Sequence, residues 1–257
     1  MVRGGGRMTT GVTGRVLSLL TGAVLISSLA ASARAGDSVT VSLGGGLALG
    51  ASDWSSTASW PSWAETATLD SQYKPASGSV FQGALGYRFS KHLGIVFAVG
   101  RASHDVSASL VAQIPHPLFL AQPRTVTGDV SGLAYKQLAF HLDLEWRTQA
   151  GPFEITAFAG PTLARVDTDA VQSMNVNEAY PYDTATYQSA VTTSVRSNMG
   201  FGLNVGAAAA WVVIPNLDLG VEARYVRARV DLAPTGSPSF SLTTGGVQVT
   251  AQARVRF

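Results

Sequence analysis

Eight segments of this chain alternate between apolar and polar side chains with a period of two residues. The clearest is the last, Val247 to Phe257, in which Val and Ala alternate with Gln, Thr and Arg. Because successive side chains of a β-strand point to opposite faces, each segment predicts a strand with one apolar and one polar face. Most are close to the roughly 9 to 11 residues that cross a bilayer as a tilted strand. The eight predicted strands are 39–51, 81–89, 93–99, 138–146, 153–163, 201–211, 217–225 and 247–257.

The connections between these strands alternate in length. Three are short and four are long: 90–93, 148–152 and 214–217, against 52–79, 103–132, 167–198 and 230–245. Short periplasmic turns and long external loops are typical of outer-membrane barrels. The sequence therefore predicts an all-β fold, an eight-stranded antiparallel up-and-down transmembrane β-barrel with four long external loops and short periplasmic turns. A soluble β-sandwich is the alternative, but its long loops would lie at both ends.

Aromatic side chains support the same orientation. Six of them fall beside the short turns or at the C-terminus, where they predict a periplasmic girdle at the membrane surface. They are Tyr87, Phe89, Trp146, Phe153, Trp211 and Phe257.

The N-terminal residues have the pattern of an export signal. Arg3, Arg7 and Arg15 precede an apolar stretch over 16–31, and Ala33-Arg34-Ala35 forms a small-x-small cleavage site. We predict a cleaved signal peptide over 1–35 and a barrel domain over 36–257. An uncleaved membrane anchor is the alternative, but several Ser, Thr and Gly residues dilute the apolar stretch.

Composition narrows the class further. Charged residues are 13% of the chain, about half the roughly 25% of ordinary globular domains. Cleavage removes four of the 18 Lys and Arg residues and leaves 14 against 16 acidic ones, which gives no reason to expect nucleic-acid binding. The absence of cysteine excludes disulfides and thiolate metal sites.

One predicted strand is irregular. In 153–163, Phe158 falls on the same face as Glu154 and Thr156, and Pro161 cannot donate a hydrogen bond to a neighbouring strand. We expect a bend at this point.

The export signal, the alternating strands, the long loops and Phe257 together resemble a known family. It is the small eight-stranded outer-membrane β-barrel proteins, the OmpA transmembrane-domain and OmpX-like group of the outer membrane protein beta-barrel domain family. The resemblance covers 36–257 and implies a monomer in the outer membrane, surrounded by lipid and lipopolysaccharide. It also implies recognition of Phe257, Val255 and Ala253 by the barrel-assembly machinery, because an unpaired strand is bound by strand addition.

An eight-stranded barrel has an interior that side chains can fill. The polar faces of the predicted strands carry both signs of charge, and opposite charges there should pair, because an isolated buried ion costs several kcal/mol. We predict a static ion-pair network that closes the lumen, with a gate that opens by exchanging partners as the alternative. The residues are Arg88, His141, Asp143, Glu145, Glu154, Glu222, Arg224 and Arg254.

Four arginines continue the outward positions of their strands just beyond the apolar stretch: Arg101, Arg165, Arg227 and Arg229. At that level a guanidinium group would meet lipopolysaccharide phosphates and can bind them bidentately. The alternative is that these arginines are solvated charges at the base of the loops.

The long loops carry aromatic and apolar residues that either pack the loops together or contact a glycan or protein partner. They are Trp54, Trp60, Trp63, Leu118, Phe119, Leu120, Tyr180, Tyr182 and Tyr187.

The sequence gives little support for a catalytic function. Some barrels of this size modify lipid A with a His and a Ser near the outer rim, but no His, Ser and acid share an outward face here. The four His residues are scattered, and we expect no metal site and no cofactor. We therefore predict a structural or adhesion-type surface role, exerted through the extracellular loops on a ligand that the sequence does not identify. A narrow pore is the alternative, suggested by the small inward residues of 201–211, and a lipid-A-modifying enzyme is third.

Overall fold

The structure is a computed structural model that describes residues 38–233 and 239–257. The predicted signal peptide, 1–35, lies outside the described residues. The described chain forms eleven β-strands. They are β1 (Val39–Leu49), β2 (Trp54–Ser62), β3 (Glu65–Pro75), β4 (Gly78–Arg88), β5 (Leu93–Ile114), β6 (Arg124–Ala150), β7 (Phe153–Glu178), β8 (Ala185–Arg196), β9 (Gly200–Ile214), β10 (Leu217–Leu232) and β11 (Phe240–Arg256).

Eight of these strands close into a ring in the order β1, β4, β5, β6, β7, β9, β10, β11. Every pairing is antiparallel, and β11 returns to β1 with Val247 opposite Leu49 and Arg256 opposite Thr40. Closure pairs both edges of every ring strand, which lets a sheet cross a membrane without exposed backbone groups. The predicted fold class is confirmed. Over the described ranges, no helix is long and apolar enough to span a bilayer.

The membrane part of the barrel is apolar outside and polar inside. On β6, Leu142 and Leu144 are about half exposed, whereas Asp143 between them is buried. The three predicted short turns are present, and the aromatic residues beside them, such as Trp146 and Trp211, project outward near the periplasmic end. The apolar faces of the predicted strands therefore point outward and the polar faces inward, as predicted.

Most of the length predicted as external loop is strand. β2 and β3 form a hairpin whose second strand pairs with the outer part of β5, and β8 pairs with the outer part of β7. β5 and β6 remain paired as far as Ile114 and Arg124. The expectation of four long loops is thus corrected: the ring strands extend beyond the membrane and acquire three further strands there.

The inward face of the strands is polar in the membrane part and apolar in the external part. On β10, Glu222 and Arg224 point inward in the membrane, whereas Val226, Val230 and Leu232 occupy the inward positions above it. An inward apolar face needs an apolar core, and the external strands enclose a continuous one that includes Leu69, Tyr73, Val106, Leu110, Val126, Tyr135 and Val166. The external part is therefore packed like a water-soluble β-protein.

β7 passes Pro161 without a change of register. Phe140 lies opposite Leu163 and Leu144 opposite Ala159, so the alignment with β6 is the same on both sides of the proline. The pairing with β9 is also continuous from Phe153 to Ala164. The expected bend does not interrupt the strand.

Candidate functional site

The periplasmic half of the lumen is filled by ion pairs around Glu154 on β7. Its carboxylate accepts hydrogen bonds from Arg254 Nη1 at 2.5 Å and from Arg256 Nη2 at 3.0 Å. Arg147 Nη1 lies 3.5 Å from the same carboxylate. All four side chains are buried. Glu154 thus joins guanidinium groups from β6 and β11.

Two further carboxylates balance these cations. Asp218 Oδ2 accepts a hydrogen bond from Arg256 Nε at 2.7 Å, and Arg256 Nη2 lies 2.6 Å from the same oxygen. Glu145 accepts a hydrogen bond from Arg147 Nε at 2.6 Å. Opposite charges packed at these distances offset part of the cost of removing them from water.

Arg224 on β10 is the centre of a second cluster, nearer the outside. Its Nη1 donates to Asp143 Oδ2 at 2.7 Å and to Asn204 Oδ1 at 2.6 Å, and its Nε donates to Glu222 Oε1 at 3.0 Å. The guanidinium carbon also lies 4.4 Å from the centroid of the Phe158 ring. This one side chain therefore contacts β6, β7 and β9 across the lumen.

Neutral polar groups extend the second cluster. Gln82 Nε2 donates to Glu222 Oε1 at 2.9 Å. His141 Nδ1 lies 2.8 Å from Thr162 Oγ1, so this His bonds to a hydroxyl. The lumen is crossed by hydrogen bonds between strands that are distant in the sequence.

The structure brings most of the predicted lumen residues into these two clusters. Arg88, at the periplasmic end of β4, is half-buried. Three members of the clusters were not in the predicted set, although they continue the inward positions of their strands: Arg147, Asp218 and Arg256. The period-two phase alone was a sufficient signal for them.

Little free space is left in the membrane part. A cavity of about 30 Å³ lies between Thr40, Ala208 and Arg254, with room for about two water molecules. At Gly206, where the small residues of β9 suggested a gap, a Cβ atom would meet the Phe158 ring. Phe158 therefore fills the space on which the pore interpretation depended.

Above the membrane, the apolar core is fixed by specific contacts. The Trp54 ring stacks on Tyr73 with centroids 5.0 Å apart, and the Val171 amide donates to the Tyr73 hydroxyl at 2.9 Å. Tyr135 forms a hydrogen bond with Thr244. Burial raises the pKa of Tyr135 to about 12, although its hydrogen bond with Thr244 acts in the opposite direction. Its phenol is therefore neutral at physiological pH.

Among the described residues, three external turns lie beyond the ends of β2, β5 and β7, and we call these turns, 63–64, 115–123 and 179–184, the apex. Arg124 donates to the carbonyl oxygens of Pro115 and Tyr182 at 2.8 and 2.9 Å, and it pairs with Glu178 at 2.6 Å. Its side chain is buried. No sequence motif marks Arg124, which was not among the predicted site residues.

The loop aromatics divide between the two roles that the sequence left open. Trp54, Trp60 and Tyr187 pack against the external core. By contrast, five apex side chains are more than half exposed, and these are Trp63, Leu118, Phe119, Leu120 and Tyr180. The apex therefore presents an exposed apolar surface above a packed base.

The four rim arginines lie in two separate places. Arg101 and Arg165 line one groove with Lys136 and Arg196, whereas Arg227 and Arg229 project from β10. Lipopolysaccharide contact at these residues remains a prediction.

The four His residues do not come together. His92 contacts the Arg147 carbonyl oxygen, His104 that of Ala76, and His116 lies at the apex. In the described part of the chain, no three His, Asp or Glu side chains are grouped so as to hold a metal ion.

A closed antiparallel ring with an apolar outer face and a charged interior defines a transmembrane barrel of the outer-membrane class. Residues 21–254 match the outer membrane protein beta-barrel domain family, and the chain belongs to this family. It is an outer-membrane protein. None of the curated proteins compared with the sequence matches it.

Solved structures of similar fold include Neisserial surface protein A, with a TM-score of 0.44 and 15% identity, over 85% of this chain and 97% of that chain. OprG from Pseudomonas aeruginosa has a TM-score of 0.49 and 10% identity, over 86% and 96% of the two chains. The outer membrane protease OmpT from Escherichia coli has a TM-score of 0.40 and 10% identity, over 86% and 98%.

Proposed function

We propose that this protein is a non-conducting, non-catalytic outer-membrane barrel that holds a rigid apex outside the cell for contact with a surface partner. The observation that carries the proposal is the closure of the interior at two levels. Paired charges fill the membrane part around Glu154 and Arg224, and an apolar core fills the external part. A barrel filled in this way serves as a support for what it presents.

The apex supports the second half of the proposal. Its exposed apolar side chains stand on turns that are tied together, since Arg124 joins two of them and the Ala121 amide donates to Glu65 Oε1 at 2.9 Å. Rigid aromatic side chains at the centre of a contact contribute most of the binding energy in protein interfaces. The apex has the exposed aromatic side chains and the fixed turns that such a contact requires.

A narrow pore is the second candidate, and the cavity beside Ala208 favours it. Conduction would require Arg224 or Arg254 to leave its two carboxylate partners.

The apex is tested by attachment. Cells displaying the full-length protein should attach to a panel of immobilised glycans and matrix proteins more strongly than cells lacking it. The triple variant Trp63→Ser, Phe119→Ser, Leu120→Ser should lose that gain, because it removes two aromatic anchors, each worth about 2 kcal/mol in a contact, and the apolar side chain beside them. Val111→Ser is a control for the apolar-to-Ser change, since Val111 is exposed but belongs to β5 and not to the apex turns.

Two results would contradict this function: attachment that the triple variant retains, or attachment no greater than that of cells without the protein. Protease resistance of the displayed variant shows that its external part is folded.

A further inference from the structure

A cationic groove lies on the outer face of the barrel where the membrane part ends. It has a volume of about 320 Å³ and is lined by Arg101, Lys136, Arg165 and Arg196, with Asp167 among them. These residues come from four adjacent strands, β5 to β8. Four cations and one carboxylate leave the groove with three net positive charges.

Strand register explains why these side chains meet. Arg101 and Arg165 both lie opposite Leu138, so the three residues form one row across the sheet. In the next row outward, Lys136 lies opposite Asp167, which in turn lies opposite Arg196. The two rows are about 7 Å apart along the strands.

Asp167 orients Arg196 and neutralises only part of the positive charge of the groove. Arg196 donates to both of its oxygens, at 2.8 and 3.3 Å, and Arg165 Nε lies 3.9 Å from Oδ1. Among the described residues, no salt bridge involves Arg101 or Lys136. The nearest further acids, Asp105 and Asp169, lie one row farther outward.

The position of the groove indicates its ligand. The row below Arg101 and Arg165 holds Val99, Phe140 and Leu163, which belong to the lipid-facing apolar band. A lipid packed on that band places its phosphorylated headgroup at the level of the groove. Guanidinium groups bind phosphate oxygens bidentately and retain their charge there.

We propose that this groove binds a phosphate group of a phosphorylated glycolipid of the outer leaflet, the lipid A portion of lipopolysaccharide. Arg101 and Lys136 supply unpaired charge, and Asp167 holds Arg196 in place. Arg227 and Arg229 stand on a single strand without this grouping, so they are not part of the site.

The test is a titration of the folded full-length protein in detergent with bis-phosphorylated lipid A, followed by native mass spectrometry. The double variant Arg101→Gln, Arg165→Gln should weaken binding at least about tenfold, because two charge-assisted contacts are lost. The matched variant Arg227→Gln, Arg229→Gln removes the same charge from the same face and should change binding less than about twofold. Dephosphorylated lipid A should bind the wild type as weakly as the groove variant binds the phosphorylated form.

Three results would overturn the proposal. Equal losses in both double variants would mean that charge attracts the lipid without a site. Equal binding of dephosphorylated lipid A would exclude phosphate recognition. Displacement by an excess of inorganic phosphate would identify a site for free phosphate. An unchanged unfolding temperature of each variant shows that a loss of binding is not a loss of fold.

Discussion

Glu154→Gln should lower the free energy of unfolding of the barrel by about 3 to 5 kcal/mol, the cost of removing one member of a buried ion pair. Glu154 is 4% exposed and holds Arg254 and Arg256 at 2.5 and 3.0 Å. Its neutralisation leaves guanidinium groups facing one another in a space with little water. Urea unfolding of the protein in detergent measures the loss.

Two control variants separate the effect of the lost charge from the effect of the substitution itself. Asp129→Asn makes the same chemical change at an exposed carboxylate that accepts a hydrogen bond from Ser109 at 2.8 Å, and it should cost at most about 1 kcal/mol. The double variant Glu154→Gln, Arg254→Gln restores the charge balance and should lose less than the sum of its two single variants. A Glu154→Gln barrel as stable as the wild type would mean that the lumen network does not hold the strands together.

A second large effect is expected in the apolar core of the external part. Leu110→Asp should abolish the protease resistance of the external part, because burial of an unpaired carboxylate costs several kcal/mol. Leu110 is 1% exposed within the external core, whereas its neighbour Val111 is 43% exposed on the outer surface. Limited proteolysis of the membrane-inserted protein should therefore cleave Leu110→Asp between β5 and β6 and leave the membrane strands intact.

Val111→Asp is the matched control, since it adds the same charge at the next residue. Its proteolysis pattern should equal that of the wild type. Equal sensitivity of the two variants, or equal resistance, would contradict an apolar core above the membrane.

Much of the membrane part was predictable because the period of a strand assigns every side chain to a face. Glu222 and Arg224 were placed in the lumen on that basis alone. Ion pairs between distant strands were not predictable, since the pairing of Glu154 with Arg254, 100 residues away, depends on the register of strands in the closed ring. Local sequence contains no information of that kind.

The external part was predicted less well, for a different reason. The loops were defined as the intervals between apolar lipid-facing strands, but outside the membrane the outward face becomes polar. On β10, Arg227 and Arg229 alternate with Val226, Val230 and Leu232. The period of two therefore continues outside the membrane, but there the polar side chains face outward and the apolar ones inward. Period alone does not show that Trp54 is packed while Trp63 is exposed, because the turn geometry of the β2 and β3 hairpin decides it.

Single-channel recording in planar bilayers shows whether the lumen is closed. Wild-type protein, shown by protease protection to be folded and inserted, should give no current steps. Reproducible steps that change in amplitude with Glu222→Ala or Arg254→Ala would mean that the lumen is open and that its charges are the gate of a pore.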